Sequence, residues 1–132
     1  MEKIPALDKY LIPYSLYVRP LPELLPQIYT TCNMWIATSI NEGFGLPPLE
    51  AMACGCPVIL RSNGGLQGVA RDKLNCLVYK SPQDASFCIS EVLENRPLRE
   101  GLRKEGYKTV ANFTWEKSAK MFRTVLEEVA GK

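Results

Sequence analysis

Short apolar runs alternate along this chain with stretches in which apolar residues recur every three or four positions. Tyr14-Ser-Leu-Tyr-Val-Arg19 reads as a strand, closed by Pro20 and Pro22. Leu24 to Cys32 puts Leu24, Leu25, Ile28 and Tyr29 on one helical face, with Pro26 tolerable only in the first turn. Met34-Trp-Ile-Ala37 predicts a short, wholly apolar strand, and Thr38 to Gly45 a polar, glycine-bearing loop. Pro47 or Pro48 then opens a helix that runs to about Ala53 and stops at Gly55. Pro57-Val-Ile-Leu60 is another buried-type strand, followed by a turn at Ser62-Asn-Gly-Gly65.

Asn75 to Tyr79 predicts a further strand. Ser81-Pro-Gln-Asp84 is a helix opening, with a serine cap, proline in the first position and an acid three residues after the cap. The helix it starts presents Ala85, Cys88, Ile89, Val92 and Leu93 on one face. Two more helices are predicted, from Leu98 to about Asn112 and from Thr114 to about Ala130. In the last, Trp115, Ala119, Phe122, Val125, Leu126 and Val129 form an apolar stripe that is expected to be core. Apolar strands alternating with helices predict an α/β fold, a parallel sheet covered by helices on both faces. Repeats, linkers and low-complexity tracts are absent from the sequence.

Composition narrows the chemistry. A chain of 132 residues, 46% of them hydrophobic, is expected to form one domain, and no apolar run approaches the length of a membrane span. Sixteen Lys+Arg against 14 Asp+Glu, unclustered, give no electrostatic case for nucleic acid or a membrane surface. The sequence has no histidine, which excludes Ser-His and Cys-His nucleophile pairs and mixed Cys/His zinc sites. Carboxylates, backbone dipoles, Lys/Arg and thiols remain. Cys32, Cys54, Cys56, Cys76 and Cys88 are odd in number and sit among apolar neighbours, and no secretory signal opens the chain. A reduced protein of the cytoplasm with inert thiols is expected.

In parallel sheets, ligands bind in the loops at the carboxyl ends of strands. Ser39-Ile-Asn-Glu-Gly-Phe-Gly-Leu-Pro-Pro-Leu-Glu50 is such a loop, directly after the strand at Met34 to Ala37. Gly43 and Gly45 admit close backbone approach, and the helix start behind them offers N–H groups to an anion such as phosphate. Glu50 is expected in the first helical turn, reaching the same cavity that Glu42 approaches from the loop. Two carboxylates around a phosphate-binding backbone suit a nucleotide sugar, since carboxylates accept paired hydroxyls while amides hold the diphosphate. The spacing alone equally fits a Glu50 that complements the helix dipole and a solvated Glu42. Ser62-Asn-Gly-Gly65, by itself, fits a plain turn.

The segment Glu42-Gly-Phe-Gly-Leu-Pro-Pro-Leu-Glu50-Ala-Met-Ala-Cys-Gly-Cys-Pro-Val58 closely resembles the signature of glycosyltransferase family 4, in which two glutamates are separated by seven residues. The likeness continues through Ser62-Asn-Gly-Gly65, Asn75-Cys-Leu-Val78 and Phe113-Thr-Trp-Glu116, covering the chain from about Tyr14. The resemblance implies a Rossmann-like, partial C-terminal donor domain of a GT-B fold over residues 1–132. It implies a retaining transferase that moves a sugar from a nucleotide-diphosphate donor to an acceptor hydroxyl without a bound metal or other cofactor. Glu50 would bind the ribose hydroxyls, and Glu42 would lie beside the transferred sugar in the catalytic position. Backbone amides of Gly43, Phe44, Gly45 and Leu46 would meet the sugar and diphosphate. Ser39, with Asn63, Gly64 and Gly65 of the second loop, would complete the donor-binding set. Catalysis would then rest on positioning and on stabilising charge on the departing diphosphate.

The sequence departs from the family pattern in three ways. Gly68 follows Gln67 where a glutamate is usual, and Cys76 stands where glycine is frequent. More importantly, the Arg/Lys pair that clamps the diphosphate in the family would come from a segment before Met1, and Arg19 would lie near the nucleobase instead. The chain by itself is therefore expected to be inactive. In the strand order 3-2-1-4-5-6, the runs at Tyr14, Met34, Pro57 and Asn75 correspond to the third, fourth, fifth and sixth strands. The Tyr14 strand then lacks its neighbours, which favours a homodimer or a partner chain that completes the sheet. A non-catalytic nucleotide-sugar module or a subunit completed by another polypeptide is the competing function. A dinucleotide binder is disfavoured because no Gly-x-Gly-x-x-Gly follows the first strand.

Overall fold

The computed structural model describes residues 7, 9–62 and 66–131. A 3₁₀ turn over Pro22–Leu24 leads into helix α1 (Leu25–Thr31), with Pro26 in its first turn where no N–H is needed. Strand β1 (Trp35–Ala37), helix α2 (Leu46–Ala53) and strand β2 (Val58–Arg61) follow. Then come strand β3 (Leu77–Tyr79), helix α3 (Pro82–Glu94), helix α4 (Arg96–Val110) and helix α5 (Trp115–Ala130).

Among the described residues the sheet is three parallel strands in the order β1-β2-β3, the order expected for the runs at 34, 57 and 75. Ile36 pairs with Ile59, and Leu60 with Val78. Successive side chains of a strand face opposite sides, so β2 divides its residues between two cores. Val58 and Leu60 join Tyr29, Leu49, Ala51, Met52 and Cys56 on the α1/α2 side. Ile59 joins Leu77, Tyr79, Cys88, Val92 and Leu102 on the α3/α4 side. Burial on both faces explains why these strands read as continuous apolar runs rather than as alternating ones. The Tyr79 hydroxyl donates to the Ala37 carbonyl at 3.0 Å, bracing the carboxyl ends of β3 and β1 across β2.

Local signals set the helix ends. The Ser81 hydroxyl accepts from the Asp84 N–H, and the Asp84 carboxylate accepts from the Ser81 N–H, forming the reciprocal cap expected at this position. The Ser81 side chain, and then the Lys80 and Ser81 N–H groups that donate to it, hold the Asp84 carboxyl below its ordinary range. Helix α4 begins two residues earlier than the apolar pattern predicts, because the Asn95 side chain caps the Leu98 N–H. Thr114 caps α5 in the same way, accepting from the Lys117 N–H.

Three expectations are corrected. Residues 12–17 carry no regular structure, Leu16, Tyr17 and Val18 are exposed, and Arg19 leaves the extended region at φ +48°. Strand-forming side chains only permit a pleated backbone, and ladder hydrogen bonds are needed to hold it. The α5 stripe is not core. No residue of α5 is buried, and Trp115 is 88% exposed. Amphipathic spacing shows that a face favours burial but not that the same chain covers it. Leu93 likewise lies half exposed at the end of the α3 face, past the point where α4 covers it.

Candidate functional site

The loop from Thr38 to Gly45 leaves the carboxyl end of β1 and turns into α2. Gly45 makes that turn in a left-handed conformation (φ 90°, ψ 59°), where a side chain would be strained. No side chain caps the helix start. An α-helix leaves its first four N–H groups without intrahelical partners, but Pro47 and Pro48 have none to offer. The free donors at this end are therefore the Gly45 and Leu46 amides, a narrower set than a generic helix start provides.

The loop is tied down from behind. The Phe44 carbonyl accepts from the Leu66 N–H at 2.7 Å, which joins it to the chain just beyond the second glycine-bearing loop. The Phe44 ring meets the Phe113 ring at 5.7 Å between centroids. Gly43 needs its small size neither for φ nor for packing, since a Cβ there would meet nothing within 4 Å. Gly43, Phe44 and Leu46 are exposed here, whereas Gly45 is buried.

Glu50 is the fifth residue of α2, so it lies beyond the first turn in which it was expected. It is solvent-facing, and its Oε2 accepts a 3.0 Å hydrogen bond from the hydroxyl of Tyr29 on α1. Tyr29 is buried, with its ring edge-on to Trp35 at 5.3 Å. Burial, and then the hydrogen bond and negative charge of Glu50, push the Tyr29 phenol well above its ordinary range. Burial, and then the charge of Glu50, also raise the Cys54 thiol. The indole Nε1 of Trp35 is the one buried side-chain polar atom without a partner among the described residues.

The structure brings some of the predicted site residues together. Leu46 and Glu50 line one shallow groove of about 370 Å³ between α2 and α4, completed by Leu49, Ala53, Val110 and Phe113. Phe44 reaches this groove through its contact with Phe113. Ser39, Glu42, Gly43 and Gly45 do not line it. Glu42 is exposed on the loop, with no hydrogen bond or ion pair among the described residues. Asn63, Gly64 and Gly65 lie outside the described residues. Sequence reasoning missed Tyr29, which it read only as part of an apolar helical face. The available signal was the hydroxyl itself, because a buried tyrosine needs a hydrogen-bond partner.

The family profile described as Glycosyl transferases group 1 matches residues 16–109. The chain belongs to this family. An uncharacterized glycosyltransferase of Methanocaldococcus jannaschii is 36% identical over 101 residues, which are 75% of this chain and 29% of that protein. Sucrose-phosphate synthase from Thermosynechococcus elongatus superposes with a TM-score of 0.84 at 27% identity, covering 97% of this chain and 34% of the synthase. The pneumococcal O-GlcNAc transferase GtfA, solved with UDP and GlcNAc, superposes with a TM-score of 0.66 at 28% identity, covering 82% and 23%. This chain of the group 1 glycosyltransferase family thus spans about a third or less of the length of these three proteins. Its parallel sheet with flanking helices is a partial domain of the GT-B kind. No helix among the described residues is long and apolar enough to cross a membrane.

Proposed function

We propose that this chain is the C-terminal, donor-binding part of a retaining, family 4 glycosyltransferase that moves a sugar from a nucleotide-diphosphate donor to an acceptor hydroxyl. One observation carries the reading. The amides of Gly45 and Leu46, with no hydrogen-bond partner among the described residues, and the carboxylate of Glu50 lie on one short helix and the turn that opens it, at the carboxyl end of β1. The amides receive the donor diphosphate, helped by the positive end of the helix dipole. Glu50 accepts from the ribose hydroxyls, and Glu42 stands beside the transferred sugar. Gly43 and Phe44 add backbone donors, and Ser39, Asn63, Gly64 and Gly65 complete the donor contacts. The complex of GtfA with UDP supports a nucleotide donor. With no histidine in the sequence, the chemistry relies on positioning and on charge stabilisation at the leaving diphosphate.

Calorimetric titration with UDP-, GDP- and ADP-glucose tests this, comparing the wild type with Glu50→Ala. Binding of at least one donor, weakened about tenfold or more in the variant as expected for a lost charged hydrogen bond, supports the reading. Binding that is unchanged in Glu50→Ala sinks the ribose assignment.

By itself the chain binds the donor without transferring its sugar, a reading supported by the small share of its relatives that it spans. Turnover by these 132 residues alone would overturn that. A second copy or a partner chain is the neighbour proposed for its open surfaces. The outer edge of β1, which among the described residues pairs only with β2, and the exposed apolar face of α5 support this. Light scattering that shows a monomer at high concentration would remove the homodimer. Five free cysteines support a reducing compartment, the cytoplasm.

A further inference from the structure

We infer that Tyr29 is a positioning residue for Glu50, holding its carboxylate in the orientation that receives the two neighbouring hydroxyls of a donor ribose. The inference rests on the donor-binding reading above and adds a residue outside the loop and helix that carry it.

Tyr29 is 4% exposed, and its ring lies in the core among Leu49, Met52 and Cys56 with Trp35 against its edge. Such packing fixes the ring, and therefore the direction of the hydroxyl. That hydroxyl is the point at which the α1/α2 core reaches the solvent-facing carboxylate of Glu50, 3.0 Å from Oε2. A free glutamate on a helix surface samples several rotamers and must lose that freedom when it binds a ligand. One anchored through Oε2 has lost part of it already.

The stoichiometry of the acceptors fits. An ionised carboxylate offers about four lone-pair positions. The tyrosine occupies one on Oε2, leaving its second and both on Oε1. Two vicinal hydroxyls need two acceptors from one direction, which the remaining positions supply. Burial and the charge of Glu50 oppose ionisation of the phenol, so it remains a donor. A glutamate that only complemented a helix dipole would need no such anchor, and Glu50 sits past the first turn where that effect is strongest.

The test is a cycle between protein and ligand. The tightest binder among UDP, GDP and ADP is titrated against the wild type and Tyr29→Phe, together with its 2′,3′-dideoxy form. Loss of one hydrogen bond that orders a charged acceptor is expected to weaken the ribonucleotide about threefold to tenfold in the variant, with the dideoxy form changed by less than about twofold. Equal losses for both nucleotides, or no loss for either, would overturn the inference while leaving donor binding intact. A wild type that binds none of the three nucleotides fails the donor-binding reading itself and removes the inference with it. A second readout needs no ligand. With ζ-carbon-labelled tyrosine, NMR titration should keep Tyr29 protonated above pH ~10, where a free tyrosine ordinarily ionises, and Glu50→Gln should lower its titration. A wild-type Tyr29 that titrates at the ordinary tyrosine value, or one whose titration Glu50→Gln leaves unchanged, shows no such bond in solution and overturns the proposal.

Discussion

The Nε of Arg103 donates to the carbonyl oxygen of Gly55 at 2.7 Å, tying the middle of α4 to the turn that ends α2. Beside this bond Gly106 lies against Met52, so α4 approaches the helix that carries Glu50 closely. The position of the candidate site thus depends on a contact between segments 48 residues apart in sequence.

Gly55 has φ +73°, and a Cβ there would stand 2.1 Å from the Tyr107 hydroxyl oxygen. Gly55→Ala should destabilise the chain by about 1–3 kcal/mol, from left-handed strain and displacement of Tyr107. Urea unfolding measures this. Adding Tyr107→Ala should recover the steric part only, leaving the backbone cost of about 1–2 kcal/mol.

Gly43 and Gly45 should separate folding from binding. Gly43 has open space around its absent side chain and no positive φ, so Gly43→Ala should change stability by less than about 0.5 kcal/mol. The added methyl should still weaken binding of a nucleotide diphosphate where the ligand backbone comes close. Gly45→Ala, at φ 90°, should cost about 1–2 kcal/mol of stability as well. Paired thermal melts and titrations check both, and a Gly43→Ala that binds like the wild type would contradict the site.

Two buried thiols predict an alkaline loss of stability. Burial pushes Cys56 up to about 11 and Cys76 up to about 12, from an ordinary 9.0. Above pH 9 the unfolded chain releases these protons and the folded chain keeps them. Their stabilising contribution is therefore complete below pH 9 and is lost as pH rises toward 11 and 12. Urea midpoints should fall across this window, and the double variant Cys56→Ala/Cys76→Ala should show a shallower fall. A midpoint independent of pH there would refute the assignment.

The exposed face of α5 predicts tolerance. Phe122→Ser and Val125→Ser should each change the stability of the monomer by less than about 0.5 kcal/mol, because neither side chain is buried within the chain. Core positions of this size would lose about 2–5 kcal/mol on truncation. Chemical denaturation discriminates the two cases clearly.

Ser81→Ala should cost about 1 kcal/mol by removing one half of the reciprocal cap on α3. Asn95→Ala should cost a similar amount, about 0.5–2 kcal/mol, at the start of α4. Circular dichroism melts read both, and additive losses are expected because the two caps share no partner.

The sequence by itself determined whatever depends on neighbouring residues. Ser81-Pro-Gln-Asp84 announced α3, Gly55 the end of α2, and the apolar runs at 34, 57 and 75 the parallel strands, because caps, φ preferences and two-sided burial act over a few positions. It also placed Gly45 and Glu50 on the turn and helix after β1. Only the tertiary structure decided which faces found partners. The Tyr14–Arg19 run has strand-forming residues yet forms no strand, and the α5 stripe has helical spacing yet no cover among the described residues, because pairing and burial require a second surface that no local pattern specifies. The same reason hid Tyr29. Its hydroxyl meets Glu50 across 21 positions of chain, and that meeting exists only once α1 and α2 have packed on one face of the sheet.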